Sequence, residues 1–120
     1  MIDINCFESL VNQAVSKLPK KIFEHLNLGI GIVERAASHT ATGSGKPAYI
    51  LGEYHVRRSM GRGIVLYYGS FAQVYPTLTN QEEALQIIDK VIRHELTHHL
   101  ESLAGERSLE AEDTQRLQEM

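Results

Sequence analysis

His94, Glu95 and His98 form an H-E-x-x-H pattern within Arg93-His94-Glu95-Leu96-Thr97-His98-His99. Two imidazoles four residues apart on a helix leave from one face, close enough to share a metal ion. A glutamate directly after the first histidine can reach a water bound to that ion. That is the donor arrangement of a zinc hydrolase, and the expected cofactor is a single Zn2+. With His94 at zero and about 100° per residue, His98 falls near 40°, Val91 near 60° and Ile87 near 20°. Ile88, Ile92, Leu96 and Leu103 gather between about 120° and 200°, forming the stripe that packs into a core. Glu95, near 100°, turns towards that core side, where a carboxylate without a task is costly. His99, near 140°, points into the stripe and reads as a satisfied core histidine or one that supports the ligands from behind, not a ligand itself.

A third ligand has several candidates. Glu101 shares the face of the two histidines but sits roughly 7.5 Å along the axis from the level of the ion. It is better suited to lining the cleft or bonding to a ligand histidine. Gly105 is a natural helix stop, after which Ser108 could cap a short final helix carrying Glu110, Glu112 and Asp113. A carboxylate folded back from that turn would complete the site. Glu110 is the preferred third ligand, with Asp113 as its neighbour or substitute.

The elements that must hold these residues can be read from periodicity. Asp3 to Asn27 is predicted helical, with Phe7, Leu10, Val11, Ala14 and Leu18 on one face and Pro19 ending or kinking it. Cys6 lies at the apolar side of its first turn and is assigned to packing. Leu28–Val33, Tyr49–Val56 and Ile64–Tyr68 are predicted strands. Ser38–Pro47 is a Ser/Thr/Gly-rich connection; its Gly43-Ser44-Gly45-Lys46 lacks the other residues of a phosphate loop. Arg57, Arg58 and Arg62 flank a turn and read as a solvated hairpin tip. Thr79–Glu82 or Asn80–Glu83 fits a capping box opening the helix that carries the motif.

From Arg93 to Asp113 the sequence resembles the small bacterial zincin-like metallopeptidases of the minimal gluzincin type. The Ile64–Gly69 strand and Leu51-Gly52-Glu53-Tyr54 extend the likeness more loosely. The resemblance implies an α+β zincin-like fold: an N-terminal helix, a short twisted mixed sheet, the H-E-x-x-H helix and a short C-terminal helix. It implies a single metallopeptidase domain over residues 1–120, acting on a peptide or protein substrate. One departure stands out: many members have Gly where this chain has Glu101. In the mechanism that follows, His94, His98 and Glu110 hold zinc and Glu95 acts as general base. Tyr68 or Tyr75 assists at the oxyanion, and the Ile64–Tyr68 strand offers an edge to the peptide.

Composition narrows the alternatives. The chain has 120 residues, 42% hydrophobic, with a net charge of −3. That suits one globular domain and gives no basic stripe for nucleic acid, which argues against a nuclease. No apolar run spans a bilayer and no signal peptide is visible, so a cytosolic protein without a membrane partner is expected. Cys6 is the single cysteine and forms no internal disulfide. A non-catalytic metal-binding interaction module is the alternative function.

Overall fold

The computed structural model describes residues 1–39 and 47–119, with side chains described as far as Glu106. Helix α1 (Ile4–Ser16) starts where the Asp3 carboxylate accepts the Cys6 N–H at 2.8 Å, satisfying one of the first-turn amides that a helix leaves open. Its apolar face buries Phe7, Leu10, Val11 and Ala14, and Cys6 packs partly buried at the core margin. The helix ends before Pro19, and a 3-10 turn at Lys20–Phe23 replaces the second half of the predicted run.

Five strands follow among the described residues: β1 (Gly29–Val33), β2 (Ala37–His39), β3 (Ala48–Ile50), β4 (Gly52–Arg57) and β5 (Gly61–Tyr67). Strand β5 is the centre of a mixed three-stranded sheet, parallel to β1 on one side and antiparallel to β4 on the other. Strands β2 and β3 form a separate antiparallel ribbon. Helix α2 (Tyr68–Val74) begins immediately after β5. Its buried Ser70 hydroxyl accepts the Ala37 N–H at 2.9 Å and donates to the Ala37 carbonyl at 3.1 Å, tying the ribbon to the main body.

Helix α3 (Gln81–Glu119) is capped by Asn80, whose side-chain oxygen accepts the Glu83 N–H at 3.1 Å. Ile88, Ile92 and Leu96 from α3 meet Phe7, Leu10 and Val11 from α1 and Ile64 and Leu66 from β5 in one core. The architecture is therefore α+β, with α1 and α3 packed together and α3 also lying along β4. No helix among the described residues is long and apolar enough to cross a membrane.

Three further sequence expectations change. Helix α3 continues through Gly105 instead of stopping there; one glycine costs a helix only about 1 kcal/mol, too little to end it unaided. The expected separate C-terminal helix is thus part of α3. Strand β5 has no free edge, because both sides are paired; the outer strands are β1 and β4. Arg62 is no hairpin-tip residue: it is 7% exposed and forms an ion pair with Glu106 of α3. The Glu106 carboxylate, hydrogen-bonded to it, pushes the Arg62 guanidinium above its ordinary range.

A candidate metal centre on helix α3

His94 and His98 leave α3 on its exposed side, one turn apart. Their rings stand edge to face, with centroids 4.7 Å apart, and the two Nε2 atoms approach to 3.2 Å. Nitrogen ligands roughly 2.0–2.1 Å from a tetrahedral zinc lie about 3.3 Å apart. The pair therefore has the spacing of two neighbouring corners of such a site, which is the test the donor set passes. Glu101 carries a carboxylate oxygen 3.6 Å from His98 Nδ1. It thus faces the ring nitrogen opposite the converging one, beyond hydrogen-bond distance and away from the point where the two Nε2 atoms meet.

Glu95 contributes an oxygen to the same cluster: donor atoms of His94, Glu95 and His98 all lie within 4.8 Å of one another. Unlike the histidines it is buried, at 6% exposure. Burial pushes its carboxyl pKa upward, while His94, His98 and the Tyr54 backbone N–H pull it down and Glu53 adds to the rise. A carboxyl raised in this way is better matched to taking a proton near neutral pH.

Strand β4 sets how deep Glu95 sits. A Cβ at Gly52 would stand 2.9 Å from Val91 Cγ1, 3.1 Å from Leu66 Cδ2 and 3.4 Å from Glu95 Cγ. Only glycine lets β4 lie this close to α3. Along β4 the Tyr67 N–H bonds to the Leu51 carbonyl at 2.9 Å, so with the observed register Glu53 and His55 pair with β5. The backbone groups of Gly52 and Tyr54 turn to the open edge. That edge borders the cluster.

His99 is fully buried. Its Nε2 lies 2.8 Å from the Glu24 carbonyl, which can only accept, so Nε2 carries the hydrogen. Nδ1 then accepts the Tyr54 hydroxyl at 2.8 Å. Both nitrogens are satisfied, and His99 is the core histidine its helix position predicted. It ties β4 and the end of the 3-10 segment to α3, one residue beyond His98.

Two cavities flank the cluster and share Ile50, Gly52 and Glu95. One, of about 560 Å³, extends towards the start of α3 between Leu51, Ile87 and Val91, with Tyr75, Lys90 and His94 on its walls. The other, of about 400 Å³, opens on the His98 side and is lined by His39, Glu53 and Tyr54. Tyr75 thus borders the cluster. Tyr68 does not: its hydroxyl donates to the Ile2 carbonyl at 2.6 Å and its ring packs on Phe7.

The fold resembles that of a conserved hypothetical protein from Thermo thermophilus, with a TM-score of 0.72 and 30% sequence identity. The alignment covers 87% of this chain and 99% of that one. This chain belongs to that protein's family. No protein-family model and no curated protein matches it. Membership of the Thermo thermophilus family accounts for nearly the whole domain, so the cluster sits on a shared scaffold.

The sequence leaves the third donor open. Glu110 and Asp113 lie outside the residues whose side chains are described. The turn at Gly105 expected to bring them back is replaced by helix, and residues 98 and 110 stand about 18 Å apart along an unbroken axis. His39 and Glu53, which sequence reasoning does not select, line the cavity that also holds Glu95 and His98. No local signal marks them. His39 sits at the border of a Ser/Thr/Gly-rich stretch, and only the pairing of β2 with β3 brings it to the site.

Proposed function

We propose that this chain is a zinc-dependent peptidase in which His94 and His98 bind the metal and Glu95 is the general base. The observation that carries the reading is the 3.2 Å approach of the two Nε2 atoms beside a buried carboxylate. Zinc, when bound, supplies the Lewis acidity that makes water nucleophilic near neutral pH and offsets charge on a peptide carbonyl. Glu95 accepts the proton of the attacking water on its carboxylate and returns it to the leaving amine. Its burial keeps that carboxylate from solvent. Glu101 stands beside the outer nitrogen of His98, and Tyr75, on the cavity wall, donates to the developing oxyanion. The open edge of β4, not β5, offers Gly52 backbone groups to an extended substrate.

The test has two readouts. Glu95→Gln should retain near-stoichiometric zinc and lose peptide hydrolysis, while His98→Ala should lose zinc. Zinc content of Glu110→Ala, His39→Ala and Glu53→Gln then assigns the third donor. Full hydrolysis by Glu95→Gln, or absence of zinc uptake by the unaltered chain, would remove the reading.

A further inference from the structure

We infer, building on the peptidase reading, that the cleft takes the C-terminal end of a peptide: a bulky apolar last residue whose free carboxylate pairs with Lys90. The 560 Å³ cavity has Leu51, Ile87 and Val91 on its walls, with Lys90 one helical turn before His94 and with Glu95 also lining it. Such a space admits a large apolar side chain. Lys90 is the single lysine or arginine lining either cavity beside the cluster.

The Lys90 neighbour Asp89 is held by Arg93 at 2.8 Å. Gln86 and His94, one turn away on either side, carry no carboxylate. Lys90 has no carboxylate partner among the described residues. An unpaired cation beside apolar walls complements a ligand that is apolar with one negative end.

Chain direction selects the peptide's C-terminus as that end. From Tyr49 to Tyr54 the protein runs from the Lys90 cavity to the His98 cavity. A peptide added antiparallel to the open edge of β4, the slightly more stable pairing, runs the other way. Its C-terminal residues enter the Lys90 cavity. A parallel peptide would instead carry its N-terminal ammonium towards Lys90, where like charges repel.

Binding to the Glu95→Gln protein tests this without requiring hydrolysis. The probes are fluorescein-labelled peptides ending in Phe as the free acid, the same peptides as C-terminal amides, and amides with an internal Glu. Fluorescence anisotropy should show the acid binding about three- to fivefold tighter than either amide, the gain of one accessible ion pair. In the Lys90→Met background, which keeps the apolar stem, acid and amide should agree within about twofold. Replacing the terminal Phe with Gly should weaken the acid.

Equal binding of acid and amide, or no binding of either, would overturn the inference. So would an acid preference that survives Lys90→Met, which would assign the carboxylate to the metal. An internal Glu amide that binds as well as the acid would replace the C-terminus by an acidic side chain. Because zinc content and loss of hydrolysis are read separately, each result is distinct from failure of the peptidase reading.

Discussion

Replacing Gly52 by alanine probes the contact that sets the depth of the Glu95 carboxylate, the proposed general base. The added methyl would lie 2.9 Å from Val91 Cγ1 and 3.1 Å from Leu66 Cδ2, whereas carbon atoms rest about 3.5–4.0 Å apart. Neither neighbour yields easily. Val91 is branched at Cβ and restricted on a helix, and Leu66 is fully buried. Helix α3 must therefore retreat from β4 by a few tenths of an ångström or more. Overpacking of this kind costs about 1–3 kcal/mol. With an unfolding entropy of about 2.1 cal/mol/K per residue, each kcal/mol lowers the melting temperature of a domain this size by about 4 °C. The expected fall is about 4–12 °C by circular dichroism. Hydrolysis should drop as well, because the retreat carries Glu95 away from β4 and out of its buried position. Metal held by His94 and His98 should persist, since both ride on one helix. Gly31→Ala is the control: a methyl there meets nothing within 4 Å. If Gly52→Ala melts within about 2 °C of the unaltered chain and hydrolyses peptide at the same rate, the close approach is not what positions Glu95.

Gly105→Ala should raise stability by about 0.5–1 kcal/mol, because the position is helical and a Cβ there meets nothing within 4 Å. A lower melting temperature would mean that Gly105 ends the helix. Tyr54→Phe should cost about 1–3 kcal/mol in urea unfolding, since it leaves His99 Nδ1 buried without a donor; an unchanged midpoint would deny that bond. Glu106→Ala should destabilise more than Arg62→Met: the first leaves a buried cation unpaired, whereas the second puts an apolar chain in its place and frees an exposed carboxylate. The reverse order of midpoints would show that the pair does not hold α3 to β5.

The parts legible in the sequence are those whose geometry is local. His94 and His98 meet because a helix turn brings them together, and Glu95 and His99 are buried because the same turn points them at the stripe of Ile88, Ile92 and Leu96. Asn80 caps α3 through a contact three residues long. What escaped depends on partners distant in sequence. Ile64–Tyr68 reads as a strand whether it is central or at an edge; only its pairing with both β1 and β4 decides. Arg62 reads as a surface residue until β5 lies beneath Glu106. Gly105 misled for the opposite reason: its weak local preference was overruled by the helix around it.

The position of β5 at the centre of the sheet, although it is the last strand in sequence, fixes when the sheet can assemble. Strand β1 pairs only with β5, so Gly29–Val33 stays without its partner until Gly63–Tyr67 have been synthesised. The β4–β5 hairpin can close early, but parallel addition of β1 must wait and then close a long loop. During that interval the apolar Ile30, Ile32 and Val33 are available to other chains. Soluble yield should therefore be more sensitive to synthesis temperature and concentration than to the stability of the finished domain, and a charge on the exposed Gly31 position of β1 should act on yield before it acts on melting.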